Sequence, residues 1–455
     1  MSEFSLPKGW IFAPIGDLCD LINGRAFKQT EWREKGLPII RIQNLNKAHA
    51  MFNYFDGELE EKHLVNYGDL LFAWSGTPGT SFGAHEWRGE QGALNQHIFK
   101  LVFEAKHIEK SFFLHSINFK LNELIGNANG GVGLRHVTKG VFESTLLEYP
   151  PLAEQQQIAQ KLNELLAQVG TLKSRLDAIP KILKRFRQSV LAAAVSGRLT
   201  EEWRGLNKMP LWRNSTLGKE FKCIDGDRGP NYPKKEEYLS KGHCLFLSTK
   251  NVRNYGFDFS DVVFIGKDRH EKLRNGTLER GDLVLTTRGT LGYVTSYDDT
   301  VPFDVVRINS GMLILRKADS SHVNEFFKML IASPLFQRII DEQRTGSAQP
   351  QLPAKILKEF ELQIPSSKEQ TEIVRRVEQL FAYSDQIEQR VKDAQARVNH
   401  LNQSILAKAF RGELTAEWRA QNPDLISGEN SAAALLERIK AEREATAKPK
   451  KKVKV

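Results

Sequence analysis

The chain has 455 residues and a mass of 51.7 kDa, which exceeds what one hydrophobic core usually organises, so two or three domains are expected. Hydrophobic residues make up 40% of the chain and charged residues 26%, which excludes a collagen-like, wholly disordered or disulfide-scaffold protein. Cys19, Cys223 and Cys244 form no C-x-x-C pair and favour a reducing compartment, so we expect a cytoplasmic protein. No apolar run approaches the roughly 18 residues of a membrane span.

The net charge of +10 makes a polyanionic partner plausible. The positive excess is spread thinly, because residues 1–149 hold 15 basic and 17 acidic side chains and the later segments are each mildly basic. A protein that bound nucleic acid unaided would normally carry a denser basic face. We therefore expect any contact with nucleic acid to be local or shared with a partner.

An internal repeat organises the chain, which contains two copies of one unit at an offset of 215 residues. Three motifs recur in both copies, and the last of them reads Gly-x-Leu-Thr-x-x-Trp-Arg. The matching stretches are Glu154-Gln155 and Glu369-Gln370, 188–192 and 403–407, and 197–204 and 412–419. Because the offset is constant, no insertion separates these motifs.

The segments before these motifs are related more loosely, as a shared scaffold with divergent surfaces would be. Residues 68–77 align with 281–290, and residues 39–44 resemble 245–251. These fragments predict short buried strands that run into polar loops, the first pair after a Gly-Asp turn. The predicted segments are a first domain at 1–149, a helical spacer at 150–206, a second domain at 207–365, a second helical spacer at 366–420, and a tail at 421–455 that is partly helical and then basic and disordered.

Each spacer carries apolar residues at alternating steps of three and four, the spacing of a coiled-coil seam. Two such helices in one chain can pair antiparallel, and a rod of about 50 Å would then hold the two domains apart. We expect Pro180 to kink or break the first helix, because proline lacks a backbone donor. The predicted seam residues are Ile158, Leu162, Leu165, Val169, Leu172 and Leu176 in the first copy, and Ile373, Val377, Leu380, Ile387 and Val391 in the second.

Motifs that would indicate catalysis are missing from the sequence. No loop of the form G-x-x-x-x-G-K-[ST] occurs, so ATP hydrolysis is not expected. The histidines lack the spacing of a metal-binding helix, and no cysteine lies near them to complete a site. We predict neither catalytic residues nor a metal site.

The helical motifs resemble those of the DNA-specificity subunit of type I restriction-modification systems, and most of all its enteric type IA subgroup. The resemblance implies an α+β fold, with two target recognition domains separated by two long antiparallel coiled-coil helices and related by an internal pseudo-twofold repeat. It covers nearly the whole chain and is strongest at 150–155, 184–188, 412–415 and 422–429.

The resemblance also implies a function. Each domain would read one half of a bipartite, spacer-interrupted site on double-stranded DNA, and the helices would dock two methyltransferase subunits, to which two restriction and translocation subunits add. The complex would direct adenine methylation or restriction, and this chain would be non-catalytic. S-adenosylmethionine, ATP and Mg²⁺ would be bound by the partner subunits, with no cofactor in this chain and no membrane contact.

Base edges are read by forked or amide side chains on loops that reach a groove. We therefore predict DNA contacts in the loops that follow the matched strands. The candidates are Arg41, Gln43, Asn44, Trp74 and Ser75 in the first domain, and Lys250, Asn251, Arg253, Thr287 and Arg288 in the second. Each of these could equally cap a loop or lie on the surface.

The residues alone leave two other functions open. The first is an enzyme with its own methyltransferase or nuclease domain, against which the missing cofactor motifs weigh. The second is a coiled-coil adaptor that never touches DNA, which would need only the helices.

Overall fold

The computed structural model describes residues 6–46, 50–76, 81–127, 135–254, 256–346 and 350–446. The chain divides into two compact units. The first unit combines residues 1–175 with 394–455, and the second unit is the continuous stretch 176–393. Each unit thus contains one predicted recognition domain together with parts of both predicted helical spacers.

Residues up to the end of the first long helix form mixed α and β structure. The helices are α1 (Ile15–Leu18), α2 (Ile42–Asn46), α3 (Lys110–Asn127), α4 (Lys139–Ser144) and α5 (Leu152–Val195). The strands are β1 (Ile11–Pro14), β2 (Asp20–Asn23), β3 (Leu37–Ile40), β4 (Asn53–Phe55), β5 (Leu64–Val65), β6 (Leu70–Ala73), β7 (Ser75–Gly76), β8 (Gly83–Glu86), β9 (Gly92–Leu94), β10 (Ile98–Val102), β11 (Arg135–His136) and β12 (Leu146–Tyr149).

The rest of the chain repeats this organisation. The strands are β13 (Arg213–Thr216), β14 (Phe221–Asp225), β15 (Cys244–Leu247), β16 (Val252–Arg253), β17 (Gly256–Phe257), β18 (Phe264–Ile265), β19 (Asp282–Thr286), β20 (Val294–Tyr297), β21 (Val306–Ile308), β22 (Met312–Lys317) and β23 (Glu361–Ile364). The helices are α6 (Glu201–Leu206), α7 (Leu217–Glu220), α8 (Lys267–Lys272), α9 (Asn324–Ala332), α10 (Pro334–Gln343), α11 (Ala354–Lys358), α12 (Ser367–Phe410), α13 (Ala416–Gln421) and α14 (Ala432–Thr446).

The central sheets of the two units have the same topology. The central antiparallel sheet has the order β2-β10-β6-β8 in the first unit and β14-β22-β19-β20 in the second. In each unit a two-stranded ribbon, β1 with β12 or β13 with β23, joins the first strand to the last strand before a long helix. A second sheet contains one parallel pair, β3 with β9 or β15 with β21. The fold therefore confirms the predicted repeat.

The Gly-Asp turns enter the central strands in the predicted way. The carboxylate of Asp69 accepts a hydrogen bond from the backbone N–H of Asn66, at 2.8 Å, and Asp282 accepts one from Glu279, at 2.7 Å. Each aspartate thus closes a turn of four residues. The strands that follow, β6 and β19, are buried along their whole length, as their apolar runs predict.

The two long helices have the same length. Both α5 and α12 contain 44 residues, and their first residues are 215 positions apart, which agrees with the offset of the repeat. Pro180 lies inside α5, and the helix continues through it, so of the two predicted outcomes, a kink or a break, the break is wrong. Pro180 is exposed, so water can satisfy the carbonyl that loses its partner one turn earlier.

Within each unit the start of one long helix packs against the end of the other. In the first unit Ile158, Leu162 and Val169 share a core with Val398 and Ile405. An early segment of α5 therefore meets a late segment of α12, which makes the pairing antiparallel.

The second unit shows the reverse combination. Val190, near the end of α5, shares a core with Ile373 and Val377, near the start of α12. The predicted antiparallel pairing is thus present in both units.

Most of the predicted seam residues are shielded from solvent. Leu172 is the exception, since its side chain is 47% exposed and the structure does not bury it in a seam. The buried seam residues are Ile158, Leu162, Val169, Ile373, Val377 and Val391, and the partly buried ones are Leu165, Leu176, Leu380 and Ile387.

A buried carboxylate joins the start of α5 to the segment that follows α12 in the first unit. Glu154, in the first turn of α5, is fully buried. Its Oε1 accepts hydrogen bonds from Thr415 Oγ1 at 2.7 Å and Arg419 Nε at 2.9 Å, and its Oε2 accepts one from Trp10 Nε1 at 2.8 Å. Three donors therefore offset the cost of burying this charge. We call these four residues the first helix-end cluster.

The second unit has a matching helix-end cluster with one bond fewer. Glu369 is fully buried, and its Oε1 accepts hydrogen bonds from Thr200 Oγ1 at 2.7 Å and Arg204 Nε at 2.9 Å. Trp212 occupies the place of Trp10, with Arg204 5.5 Å from its ring, yet its buried Nε1 and the Oε2 of Glu369 have no hydrogen-bond partner. The repeated Thr and Arg positions are thus explained by one buried carboxylate each.

The glycine of the repeated motif follows each long helix and closes it. Gly197 and Gly412 have φ values of +77° and +71°, which L side chains rarely adopt. A Cβ at either position would lie within 2.8 Å of the guanidinium of Arg204 or Arg419, respectively. A side chain there would disturb the helix-end cluster.

Residues 432–446, predicted as the helical part of a tail, instead belong to the core of the first unit. The apolar face of α14 joins the core that contains Ala13, Leu18 and Ile108. Arg443 donates a hydrogen bond to the carbonyl of Gly16 at 2.6 Å. The buried residues that α14 contributes are Ala432, Leu435, Leu436 and Ile439. The predicted basic, disordered end at 448–455 lies outside the described residues.

Candidate nucleic-acid interface

Three loops meet at one end of the sheets in the first unit. Strand β3 is parallel to β9, and the backbone N–H of Asn95, just after β9, donates to the carbonyl of Ile40, at the end of β3. The ring of His97 lies 5.4 Å from that of Trp74, which follows β6. The segment between β9 and β10 therefore lies beside both predicted contact loops.

The second unit builds the same arrangement. The N–H of Asn309, just after β21, donates to the carbonyl of Leu247 at 3.0 Å. The N–H groups of Thr287 and Arg288 donate to the carbonyl of Gly311, at 2.8 and 3.1 Å. The structure thus brings the predicted residues of each unit to one place, except Arg253, which lies in β16. We call these segments the reading loops, which are 41–44, 74–75 and 95–97 in the first unit and 248–251, 287–288 and 309–311 in the second.

The reading loops carry different side chains on equivalent backbone positions. By the strand pairings above, Gln43 corresponds to Lys250, and Trp74 corresponds to Thr287. Ser75 then corresponds to Arg288. The scaffold is shared, whereas the groups presented at its end are not.

Six of the predicted contact residues have exposed or partly exposed side chains. Gln43 and Lys250 are exposed, and Arg41, Trp74, Arg253 and Arg288 are partly exposed. Arg41 donates to Asn53 Oδ1 at 2.9 Å and lies 5.3 Å from the ring of Trp32. Arg41 is therefore held in place with part of its guanidinium accessible, the kind of fixed fork that base recognition uses.

The other four predicted residues are buried. Ser75 and Thr287 are 7% and 3% exposed. Asn44 and Asn251 are 8% and 4% exposed, and each accepts a hydrogen bond from the backbone N–H three residues earlier, Arg41 or Ser248.

Both amide groups of these asparagines are also used as donors inside the turn. Asn251 Nδ2 donates to the carbonyls of Asp258 and Asp261, at 2.9 and 2.8 Å. Asn44 Nδ2 lies 3.4 Å from two backbone carbonyls. These contacts support a role in holding the turn for Asn44 and Asn251, not in reading bases.

The charges next to the reading loops differ between the units. Arg25 follows β2 and pairs with Glu31 at 2.5 Å, whereas Asp227 follows β14 at the equivalent position. The pKa of Asp227 lies below its ordinary value because the backbone N–H groups of Gly229 and Arg274 donate to its carboxylate. The first unit thus places a cation, and the second an anion, beside its loops.

The predicted contact residues do not include the segments that begin at Asn95 and Asn309. Nor do they include two glycines that let the neighbouring strand approach these segments. A Cβ on Gly24 would lie 2.0 Å from the carbonyl oxygen of Asn95, and one on Gly226 would lie 2.1 Å from that of Asn309. The pairs Leu94-Asn95 and Ile308-Asn309, 214 residues apart, were the available signal.

Among residues 6–446, with the gaps given above, no group of three or more His, Cys, Asp or Glu side chains is arranged to bind a metal ion. Within the same part of the chain, no helix is long and apolar enough to cross a membrane.

Comparison with known proteins identifies the family. The family model described as the type I restriction modification DNA specificity domain matches twice, at residues 7–181 and 211–394, which together exceed half of the chain. Each match contains one set of reading loops. The chain belongs to this family.

Similar proteins include curated relatives that this chain matches over nearly their whole length. The chain is 37% identical to the EcoBI specificity subunit of Escherichia coli, over 97% of this chain and 94% of that one. It is also 37% identical to the EcoKI specificity subunit of Escherichia coli strain K12, over 98% of each chain. Both relatives are described as type I restriction enzyme specificity subunits.

A solved structure supports the fold. The crystal structure of the HsdS subunit from Thermoanaerobacter tengcongensis matches with a TM-score of 0.57 and 19% identity, over 90% of this chain and 99% of that chain. The match extends over both copies of the repeat. Two recognition domains of one family in a single chain fit the recognition of a bipartite DNA target.

Proposed function

We propose that this chain is the DNA-specificity subunit of a type I restriction-modification complex, and that each set of reading loops reads one half of a bipartite site. The observation that carries the proposal is the pair of equivalent loop sets with different side chains. One scaffold presents the exposed Gln43 where its copy presents the exposed Lys250, and it has the buried Ser75 where its copy has the partly exposed Arg288. Two different half-sites are what such a pair would recognise.

The chain's partners follow from the same proposal. The long helices dock two methyltransferase subunits, to which two restriction and translocation subunits add, and the assembled complex methylates adenine or cleaves DNA. This chain performs no chemistry itself. S-adenosylmethionine, ATP and Mg²⁺ are bound by the partners, and the complex works in the cytoplasm. The distance that the helices set between the two readers remains a prediction.

An exchange of domains tests the reading role. Residues 1–149 are replaced by the matching segment of a relative with a different target, and adenine methylation is mapped across the genome of a host that expresses the whole system. We expect one half of the methylated sequence to change and the other half to remain. A matched exchange of residues 207–365 should change only the other half. A change of both halves by either exchange would contradict the assignment of one half-site to each unit.

The absence of catalysis is tested on the purified chain. With S-adenosylmethionine and duplex DNA, but without partner subunits, no methyl transfer is expected. Methyl transfer should occur once the methyltransferase subunits are added. Methyl transfer by the chain alone would overturn this part of the proposal.

A further inference from the structure

One residue of the repeated motif takes no part in the helix-end clusters or in the hydrophobic cores of the two units. In Gly-x-Leu-Thr-x-x-Trp-Arg, the glycine closes the long helix, and the threonine and arginine hold the buried carboxylate. The tryptophan, Trp203 in α6 and Trp418 in α13, has no part in these contacts. Both copies nevertheless keep it at the same position.

Both tryptophans are partly exposed and lie outside the hydrophobic cores. Among the described residues, neither Trp203 nor Trp418 stacks on another ring, contacts a cation or makes a side-chain hydrogen bond. Neither belongs to the apolar side chains that pack against a core of its unit. Further apolar surface follows Trp203, because Leu206 and Leu211 are 76% and 87% exposed. A large aromatic side chain left in this state is typical of a binding surface.

The charge next to the tryptophans argues against DNA as the ligand. Glu202 and Glu417 immediately precede the two tryptophans and are exposed, and Glu201 is exposed as well. A phosphate backbone would be repelled by these carboxylates. A protein surface with an apolar pocket rimmed by basic side chains would complement them.

We propose that Trp203 and Trp418 are equivalent anchors for the methyltransferase subunit, with one subunit docked on each. The inference rests on the proposed function, which supplies a protein partner in two copies. One anchor occurs in each copy of the repeat, so the occupant binds twice to one chain through the same residues. Each anchor lies between the threonine and the arginine of a helix-end cluster, in the motif that both copies of the repeat contain.

The test uses the full chain and purified methyltransferase subunits without DNA, with stoichiometry read by native mass spectrometry and affinity by titration. The wild-type chain should bind two subunits. Trp203→Ala or Trp418→Ala should leave one site intact and weaken the other at least about 10-fold, as loss of an aromatic anchor does. The double variant should lose both sites.

Two further variants keep the result interpretable. Glu202→Lys with Glu417→Lys changes only exposed charges and cannot empty a core, and it should also weaken both sites. Tyr67→Ala removes an aromatic side chain that is 73% exposed elsewhere in the first unit and should change nothing.

The outcomes separate the two proposals. If the wild-type chain binds two subunits and the double tryptophan variant binds them equally well, the anchors are wrong and the proposed function stands. If the wild-type chain binds none, the docking part of the proposed function fails and the anchors fail with it. Self-association of the chain that the tryptophan variants abolish would make a second copy the occupant and would also overturn the inference.

Discussion

The two units differ in the residues that form one equivalent face of the shared scaffold. In the first unit Ala13, Leu18 and Ile108 lie in the core that α14 completes. In the second unit, strand register and the helix-end contacts place Ser215, Glu220 and His322 at the equivalent positions. The face that is apolar and covered by α14 in the first unit is thus formed by a cluster of polar residues in the second unit.

Two residues of the polar cluster of the second unit donate hydrogen bonds to its buried carboxylate. Both guanidinium nitrogens of Arg213 donate to the carboxylate of Glu220, each at 2.6 Å, and Ser215 donates to the same group. His322 Nε2 lies 2.8 Å from Glu220 Oε2. Burial raises the pKa of Glu220, but the bonds from Arg213 and Ser215 outweigh it, and the pKa lies below its ordinary value.

The difference shows what decides whether the scaffold needs a cover. Exposed apolar side chains such as Leu18 would form a patch that favours aggregation, so the first unit recruits a helix from a distant part of the chain. Polar groups that bond to one another can stay near solvent. The backbone topology is the same, and the side chains at a few positions set the difference.

The largest effect is expected at the helix-end clusters, which test whether the units are equally fastened. Glu154→Ala should destabilise the first unit by about 3 to 5 kcal/mol, because it leaves Arg419 buried without its partner. Glu369→Ala should cost the second unit roughly 1 kcal/mol less, since the bond from Trp212 is missing there. Hydrogen exchange with mass spectrometry, read on peptides of each unit, measures both. Exposed Glu164→Ala, also in α5, is the control and should change little. Equal losses would mean that the indole bond of Trp10 adds nothing.

A somewhat smaller effect is expected when the cover of the first unit is weakened. Leu435→Ala in α14 should lower the free energy of unfolding of the first unit by roughly 2 to 4 kcal/mol, since the side chain is 4% exposed and leaves a cavity. Peptides of the second unit should exchange as before. Exposed Leu425→Ala is the matched control. Uniform destabilisation of both units would contradict their separate cores.

The smallest effect concerns pH and the second unit alone. Because the pKa of Glu220 is lowered in the folded state, its contribution is complete above its ordinary value of 4.5 and is lost as pH falls through the lowered value. Glu220→Gln should therefore reduce stability at pH 7 and flatten the decline of stability in acid. Leu18, at the equivalent position of the first unit, has nothing to titrate. Urea titrations between pH 3 and pH 7, followed by exchange of peptides from each unit, compare the profiles. If the stability of the variant declined in acid as steeply as that of the wild-type chain, this role for Glu220 would be excluded.

Much of the fold could be predicted because sequence patterns indicate the helices, the turns and the repeat. The heptad spacing and the Gly-Asp turns depend on residues close together in the chain, and the constant offset is found by comparing the sequence with itself. The predicted break at Pro180 was wrong because an exposed helix face tolerates one lost backbone bond. The prediction that Leu172 is buried in the seam was also wrong, since its side chain is 47% exposed. The heptad spacing shows which residues share one face of a helix, but a residue on that face is buried only where the partner helix supplies side chains.

The site was less predictable because it depends on contacts between distant residues. Asn44 and Asn251 have the amide groups that base recognition uses, but their turns consume them. The segments after Asn95 and Asn309 join the loops only because two strands pair in parallel. The role of α14 could not be read from its sequence, because its apolar face matches a surface more than 300 residues earlier in the chain.

The discontinuous make-up of the first unit has a consequence for biosynthesis. At about 5 to 20 residues per second, a ribosome needs on the order of tens of seconds to pass from residue 175 to α14. During that interval the first unit lacks both its share of α12 and the helix over Leu18, while the second unit is completed in one stretch. The unit made second should therefore mature first, and the unit made first should be the one that chaperones hold. Ribosome-bound chains that carry residues 1–393 followed by a flexible linker long enough to span the exit tunnel, probed with a protease, should show a protected second unit and a cleavable first unit.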